Sequence, residues 1–576
     1  MSKKTIPIGY EDLREIVNKD MYYVDKTFVL KSFIDNHSKV TLFTRPRRFG
    51  KTLNQSMFRR FFEDERKSDG SRINNGYIFD GLIISACGEK YLQHQQQYPV
   101  INLSLKSGKQ PNFALAYEML KKEIIREFER HSYVLKCSAL EKQEREAFQA
   151  VLNAEAKEEL YADGLKTLSG CLEKYHGRKC IILIDEYDVP LENAWFAGFY
   201  DEMTSFIRSL FESALKTNDA LEFAFITGCL RISRESIFTG LNNLQMNSVT
   251  GTGYGDAFGF TEKEVFDMLT YYGLAEHFDG IKQWYDGYLF DEKEIYNPWS
   301  IINYVHDLTI RPTSFPKAYW SNTSSNSIIR ELVERADKET REEIEQLIAG
   351  ETLEKPVHED ITYGDIHESK DNLWNFLYFT GYLKSCGQRY DGETTFVKLA
   401  IPNTEIRTIY KNTVRIWFDK KLERTDQTPL LKALEEGNCD AIEDLLSGQL
   451  LDAISFYDYK ESYYHGFLTG MLKTAAKEYS VLSNRESGNG RPDLILKTSR
   501  IRKGRAFIIE VKVADTFSGM EDCCGKALAQ IEDRNYAAAL REEGYQDIES
   551  YGICFYQKEC MVVKAAAKTP REQSGK

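Results

Sequence analysis

The stretch "FTRPRRFGKT", residues 43–52, decides the fold of the first half of this sequence. Its last three residues, Gly50, Lys51 and Thr52, match the end of the phosphate-loop pattern G-x-x-x-x-G-K-[ST]. Arg45 stands where this pattern has its first glycine. The stretch therefore predicts a phosphate-binding loop whose first turn has an altered shape. A surface G-K-T beside a basic cluster is the alternative.

The end of this loop supplies the groups that a bound triphosphate requires. Gly50 lets backbone N–H groups approach the phosphates, and Lys51 supplies a cation for the β- and γ-phosphates. The hydroxyl of Thr52, at the start of the following helix, is a ligand for Mg²⁺. The loop therefore predicts ATP and Mg²⁺ as ligands. Further positive charge near the phosphates is expected from the loop arginines, Arg45, Arg47 and Arg48.

Strands and helices alternate on both sides of the loop. The β-branched run at residues 39–44 predicts a buried strand, and a helix is predicted from Lys51 to about residue 63. This alternation indicates an α/β unit with a parallel sheet, whose strands are covered on both faces. Three more strands of this unit are predicted at residues 98–105, 179–191 and 221–228.

The stretch "IILIDE", residues 181–186, ends a predicted strand on two acids. We expect this strand to lie beside the strand that precedes the loop. Asp185 then suits the role of Mg²⁺ ligand, and Glu186 the role of catalytic base for a water. A capped strand end is the alternative. Two signals in the correct order, each in the expected context, favour a nucleotide site.

The strand at residues 221–228 ends near Thr227, a polar residue placed to sense a γ-phosphate. Arg231 lies just beyond it and is a candidate nucleotide-binding residue. The alternative for Arg231 is structural, because it can cap the strand end or pair with Asp188 or Glu235.

The stretch "RPDLILKTSRIRKGRAFIIEVKV", residues 491–513, predicts a second site. Asp493 begins one strand, and Glu510 and Lys512 share a face of the next because side chains alternate along a strand. A hairpin between the strands places Asp493 opposite Glu510. Two carboxylates are oxygen ligands for Mg²⁺, the metal acidifies a water, and Lys512 orients the nucleophile or stabilises the transition state. This pattern predicts metal-assisted phosphodiester hydrolysis.

An exposed hairpin with a salt bridge is the alternative for this second site. The apolar run before Glu510 predicts burial, and a buried glutamate beside a lysine is costly without a purpose. The predicted turn either contacts a nucleic-acid backbone or is a solvated basic turn. Its basic residues are Lys497, Arg500, Arg502, Lys503 and Arg505.

Residues on flanking helices are candidates to support the second site. Glu461 begins one helix and is a possible third metal ligand, and His465 lies four residues on, on the same face. Gln530 and Tyr536 lie on a later helix and are candidates to orient Lys512 or substrate. Packing is the alternative role for His465 and Tyr536.

Composition limits the classes of protein. The chain has 576 residues, 42% hydrophobic and 28% charged, as soluble globular proteins do. Its net charge of −13 argues against a surface coated for non-specific nucleic-acid binding. The eleven cysteines are scattered, and neither a signal core nor a run of about 18 apolar residues is found. We expect a cytoplasmic protein with free thiols and no membrane segment.

The chain resembles the bacterial AAA-ATPase-like proteins that carry a C-terminal PD-(D/E)XK nuclease-superfamily domain. The resemblance is nearly full-length, and Arg45 in place of the loop glycine is a feature of that family. It implies Lys51 and Thr52 as phosphate and Mg²⁺ ligands, Asp185 and Glu186 as Walker-B acids, and residues 492–512 as the PD and ExK signature. The stretches that carry it are "IGYEDLREI", "YYVDKT", "RPRRFGKT", "LIDEYDVPL", "ITGCLRISRESIFTGLNNL", "YDGYLF", "YNPWSI", "YHGFLTG", "GRPDLIL" and "IEVKV".

The predicted fold class is an α/β multidomain protein with a P-loop NTPase (AAA-like) parallel sheet and a small restriction-endonuclease-like α/β domain. Changes in sequence texture place the ATPase domain and its N-terminal extension at residues 1–256 and a helical lid and linker region at 257–454. The nuclease-like domain follows at 455–565 and a disordered tail at 566–576.

The expected function is ATP hydrolysis coupled to a Mg²⁺-dependent nuclease, with Mn²⁺ as a substitute metal and DNA rather than RNA as substrate. The alternative is a nucleotide-switched binding protein whose C-terminal domain holds nucleic acid or protein without cleaving it. An AAA-like domain is also compatible with a ring or a dimer.

Overall fold

The computed structural model describes residues 3–230, 237–238, 242–322, 327–358, 369–451, 461–475, 479–483, 491–499 and 504–566. The chain forms two compact units. Unit 1 comprises Met1–Asn326 and Thr352–Ile409, and unit 2 comprises Ser327–Glu351 and Tyr410–Lys576. The region predicted as a separate lid and linker, residues 257–454, is therefore shared between the two units. The predicted tail lies outside the described residues, apart from residue 566.

Helices occur throughout both units, and none in the described parts of the chain is long and apolar enough to cross a membrane. In chain order they are α1 (Leu13–Asn18), α2 (Phe28–Asn36), α3 (Lys51–Phe62), α4 (Glu89–Leu92), α5 (Phe113–Arg130), α6 (Lys142–Leu152), α7 (Glu158–Ala162), α8 (Gly164–His176), α9 (Val189–Ala197), α10 (Tyr200–Phe211), α11 (Glu262–Tyr272), α12 (Phe278–Tyr285), α13 (Pro298–Ile310), α14 (Ser327–Arg335), α15 (Lys338–Ala349), α16 (Lys370–Phe379), α17 (Thr404–Arg424), α18 (Thr428–Glu436), α19 (Cys439–Leu451), α20 (Glu461–Ala475), α21 (Met520–Asp533) and α22 (Tyr536–Glu542).

The strands form four sheets, three in unit 1 and one in unit 2, within the described residues. In chain order they are β1 (Val40–Thr44), β2 (Val100–Ser104), β3 (Cys180–Asp185), β4 (Leu221–Gly228), β5 (Leu244–Asn247), β6 (Phe260–Thr261), β7 (Tyr288–Phe290), β8 (Lys293–Tyr296), β9 (Leu353–Pro356), β10 (Lys384–Tyr390), β11 (Thr395–Ala400), β12 (Tyr479–Ser483), β13 (Leu494–Thr498), β14 (Arg505–Val513), β15 (Asp547–Tyr556) and β16 (Glu559–Lys564).

The main sheet of unit 1 is parallel throughout, with the strand order β2-β3-β4-β1-β5. Every residue of β1 and β3 is buried, because helices cover both faces of a parallel sheet. The expectation that β3 lies beside β1 is wrong, since β4 pairs with both strands and separates them. All strands still end at one edge, so residues that follow β1, β3 and β4 converge there.

Two small antiparallel sheets in unit 1 lie within the region predicted as a helical lid and linker, whose described residues are otherwise mostly helical, as expected. Their strand orders are β6-β8-β7 and β10-β11-β9. Such strands are short, and β10 is exposed along most of its length, so an alternating apolar pattern hardly develops. The first of these sheets supports the phosphate loop, because the ring of Phe49 packs against Tyr288 and Phe290.

The sheet of unit 2 has the order β12-β13-β14-β15-β16, and only its β14–β15 pair is parallel. One face carries Leu494 and Phe507 in a core built with α18, α19 and α20, and the other packs against α21 and α22. The predicted small C-terminal α/β domain is confirmed. Because β14 is central and buried, the residues near its end, Glu510 and Lys512, are held by a rigid element.

Candidate nucleotide and metal sites

The phosphate loop joins β1 to α3 and holds its lysine inside the turn. Gly50 adopts φ +83°, a left-handed conformation that glycine reaches without strain. The side chain of Lys51 is buried, and its Nζ donates to the carbonyl oxygens of Arg45 and Pro46, each at 2.9 Å. The ammonium is therefore fixed at the start of α3, beside the backbone N–H groups that would bind phosphate.

Asp185, the last residue of β3, is joined to the start of α3 and to the end of β4 by two hydrogen bonds. The hydroxyl of Thr52 donates to Asp185 Oδ2 at 2.7 Å, and the hydroxyl of Thr227, near the end of β4, donates to Oδ1. The hydroxyl and carboxylate expected to share Mg²⁺ are thus in contact. Both are oxygen donors of the kind that Mg²⁺ prefers, so the residues present fit this metal.

Glu186 follows Asp185 at the same edge of the sheet. It is half-buried and has φ +53°, a strained conformation for a glutamate. Burial and the charge of Asp185 raise the pKa of the Glu186 carboxyl, while Lys51 and Lys106 act in the opposite direction. A carboxylate with a raised pKa is a better proton acceptor, which suits the role of general base.

Arg45 has a structural position, in contrast to the phosphate-binding role predicted for it. Its guanidinium is fully buried and donates to the carbonyl of Asn247 at 2.7 Å and to the side-chain oxygen of Asn247 at 2.9 Å. The group lies over the rings of Phe258 and Phe290. Burial lowers the pKa of Arg45 to about 9. Arg45 therefore ties the start of the loop to the end of β5.

The other candidate arginines have different surroundings. Arg48 stacks on the ring of Trp299 at 4.5 Å, and Arg47 forms an ion pair with Glu192. Both arginines line the cavity at the loop. Arg231 and Glu235 lie outside the described residues. Asp188, the other partner considered for Arg231, accepts hydrogen bonds from the backbone N–H groups of Cys229 and Leu230, at 2.7 and 3.1 Å.

We expect Arg45→Met to affect stability more than nucleotide binding. The exchange leaves the buried acceptors of Asn247 without a donor, so the free energy of unfolding should fall by about 3 kcal/mol. Affinity for ATP, measured by titration well below the unfolding temperature, should change less than about threefold. Arg48→Met is the matched control, and it should weaken ATP binding at nearly unchanged stability. If Arg45→Met instead weakens ATP binding at nearly unchanged stability, the phosphate-binding role predicted for Arg45 is correct.

A cavity of about 340 Å³ opens at the loop. Its lining includes Gly50, Lys51 and Thr52 together with aromatic and aliphatic side chains such as those of Tyr22 and Trp299. The N-terminal stretches "IGYEDL" and "YYVDKT" supply part of the aromatic wall. A polar cavity of about 410 Å³ adjoins it, and Thr52, Lys106 and Glu186 line both.

Sequence reasoning assigned no role to Lys106 or to this wall. The aromatic wall could have been predicted from the tyrosines of the stretches "IGYEDL" and "YYVDKT".

The second site is assembled around Asp493 in unit 2. Its Oδ2 accepts from the backbone N–H of Val511 at 2.8 Å, and its own N–H donates to Glu510 Oε2 at 3.3 Å. The Nζ of Lys512 lies 3.3 Å from Glu510 Oε1 and 3.5 Å from Glu461 Oε2. The structure thus brings together the carboxylates and the lysine predicted as neighbours, and their oxygen donors fit Mg²⁺ or Mn²⁺.

Glu510 is 1% exposed, and the side chain of Gln530 donates to its Oε1. Burial, reinforced by the charge of Asp493, raises the pKa of Glu510 to about 7. A buried carboxylate whose pKa is raised despite a neighbouring lysine is unfavourable as an anion in the free protein, so its environment favours a site that binds a further cation. Tyr536, by contrast, packs in the apolar core behind the sheet.

Two basic residues of the predicted turn form ion pairs within unit 2. Lys497 pairs with Glu543, and Arg505 pairs with Glu549 at 2.6 Å. The other three basic residues of this turn, Arg500, Arg502 and Lys503, lie outside the described residues.

His465 is bound to the backbone of Asp493. Its Nε2 lies 2.9 Å from the carbonyl oxygen of Asp493 and 3.0 Å from the hydroxyl of Ser483. We expect His465→Ala to weaken Mn²⁺ binding about tenfold, because groups behind metal ligands orient them. Ser483→Ala should have a smaller effect, since the Asp493 carbonyl keeps its donor. Calorimetric titration with Mn²⁺ measures both, and equal affinities in wild type and His465→Ala would contradict this role.

A third carboxylate group lies in unit 1 and already has a cation. Glu262, Asp286 and Glu294 place ligand oxygens within 4.8 Å of one another. The ammonium of Lys282 contacts Glu262 and lies 3.9 Å from Glu294. We therefore attach no metal-binding role to this group.

Comparisons with known protein families agree with the fold and with the two sites. Residues 7–238 match the family described as predicted AAA-ATPase, and residues 459–565 match the PD-(D/E)XK nuclease superfamily. The chain thus carries an AAA-ATPase-like domain followed by a C-terminal PD-(D/E)XK nuclease-superfamily domain. It is also 25% identical over 572 residues to an "Uncharacterized protein in vnfD 5'region" of Azotobacter chroococcum mcd 1, with 98% of each chain covered.

Proposed function

We propose that this protein binds and hydrolyses ATP with Mg²⁺ at the phosphate loop. The contact between Thr52 and Asp185 carries the proposal, because a loop hydroxyl and a strand-end carboxylate converge where a phosphate-bound Mg²⁺ needs them. Lys51 would bind the β- and γ-phosphates, and Glu186 would accept a proton from the attacking water. Mg²⁺ would neutralise phosphate charge.

We further propose that the C-terminal domain cleaves phosphodiester bonds of nucleic acid, DNA rather than RNA. The adjacency of Asp493, Glu510 and Lys512 carries this proposal. The two carboxylates would hold Mg²⁺ or Mn²⁺, which would acidify a water and neutralise the scissile phosphate. Lys512 would orient that water or stabilise negative charge in the transition state. We propose a cytoplasmic location for this activity.

Two assays of the purified full-length protein test these proposals. Phosphate release from ATP is measured with and without Mg²⁺. Linear, circular and single-stranded DNA and single-stranded RNA are then incubated with Mg²⁺ or Mn²⁺ and resolved on denaturing gels. Failure to release phosphate contradicts the first proposal, and intact substrates contradict the second. Binding of DNA without cleavage would favour the nucleotide-switched binding protein instead.

A further inference from the structure

Lys106 lies beside the catalytic edge of the main sheet, one strand away from Glu186. Ser104, near the end of β2, is the register partner of Asp185 in β3. The next residue, Leu105, donates its backbone N–H to the carbonyl of Asp185 at 3.0 Å. Lys106 then begins a short 3-10 turn, Lys106–Gly108. This register holds the Cα of Lys106 at the same edge as Asp185 and Glu186.

The side chain of Lys106 reaches the place where the two cavities of unit 1 meet. It lines both cavities, as Thr52 and Glu186 do. Lys106 is exposed, and it forms no ion pair with a carboxylate in the part of the chain that the structure describes. A γ-phosphate bound by Lys51 and Thr52, with its attacking water next to Glu186, would lie within the area that these residues surround.

We propose that Lys106 is a further catalytic residue of the nucleotide site, whose ammonium binds the γ-phosphoryl oxygens during ATP hydrolysis. The inference rests on the proposed ATPase function and adds a residue to it. A bond forms between the water oxygen and the γ-phosphorus, and the bond from that phosphorus to the β–γ bridging oxygen breaks. The electron pair of the broken bond stays on ADP, and the water proton passes to Glu186. Lys106 offsets the negative charge on the transferred group.

Lys106→Met in the full-length protein tests the inference. The variant keeps the length of the side chain and loses its charge. We expect kcat for ATP hydrolysis to fall about 10²-fold, and affinity for ADP with aluminium fluoride, which mimics the transferred group, to fall by a similar factor. Affinity for ADP alone should stay within about threefold, because ADP lacks the γ-phosphate. Lys106→Arg should restore most of both losses. Lys122→Met, at an exposed position on α5 outside both cavities, is the control and should behave like wild type.

The outcomes separate this inference from the function on which it rests. If the wild-type protein releases phosphate and Lys106→Met releases it at the same rate, the role of Lys106 alone is overturned. Equal losses of affinity for ADP and for ADP with aluminium fluoride indicate a general loss of the site and also overturn it. A wild-type protein that releases no phosphate overturns the ATPase proposal and this inference together.

Discussion

Lys51→Ala is expected to remove ATP hydrolysis and to weaken ATP binding by about 10²-fold, or about 3 kcal/mol. The side chain is buried at the start of α3, and hydrogen bonds to the carbonyl oxygens of Arg45 and Pro46 hold its Nζ in place. Titration with a fluorescent ATP analogue measures the affinity, and phosphate release measures turnover.

Further measurements distinguish the loss of a phosphate-binding group from a loss of folding. Removing Lys51 leaves two loop carbonyls without their donor, so the unfolding temperature is recorded as well. Thr52→Ala is the second variant, because it keeps these contacts and removes only the hydroxyl that faces Asp185. It should bind ATP with nearly wild-type affinity in the absence of Mg²⁺, and Mg²⁺ should no longer raise that affinity. Lys67→Ala, at an exposed position, is the control. Unaltered ATP affinity in Lys51→Ala would refute the phosphate-loop assignment.

The sequence predicted the local parts of this site because they depend on neighbours along the chain. A strand, a G-K-T and a helix are adjacent in sequence, and "IILIDE" carries its own strand signal. The order of strands in the sheet could not be predicted in this way. It depends on crossovers that no local pattern encodes, so the insertion of β4 between β1 and β3 was not foreseen. Thr227 reaches Asp185 because of that insertion.

The role of Arg45 shows the limit of reading charge from a sequence. Three arginines in a loop with a phosphate pattern suggest phosphate contacts for all of them. Two of the acceptors of Arg45, however, belong to Asn247, about 200 residues further along the chain. Lys106 was missed for a related reason, because its position beside Glu186 follows from the pairing of β2 with β3. Asp493, Glu510 and Lys512 were easier to predict together, since one hairpin brings them close.

Glu510→Gln is expected to abolish DNA cleavage and at the same time to stabilise the metal-free protein at pH 8. Cleavage should fall at least about 10³-fold, since the amide no longer supplies an anionic metal ligand. The stability effect follows from the raised pKa of Glu510, about 7 in the folded protein. Between about pH 4.5 and 7 the folded state binds more protons at this group than the unfolded state, so its contribution to stability falls as the pH rises.

Above pH 7 the wild-type protein therefore carries an unfavourable buried charge that the variant lacks. The gain in the free energy of unfolding in EDTA should reach at most about 3 kcal/mol at pH 8 and vanish near pH 4. Urea titrations at the two pH values measure it, and gels measure cleavage. A variant that loses cleavage while becoming more stable cannot have lost it through unfolding.

Glu549→Gln is the matched control on the neighbouring strand β15, and its effect on stability should have the opposite sign. Burial acts to raise its pKa, but hydrogen bonds from Lys564 and Arg505 outweigh burial and lower the pKa of Glu549. A lowered pKa means that its stabilising contribution is present at neutral pH and is lost on acidification. Glu549→Gln should therefore destabilise the protein at pH 8 and leave cleavage unchanged. Cleavage that survives Glu510→Gln, or that is lost equally in both variants, would show that Glu510 is not a metal ligand of the nuclease.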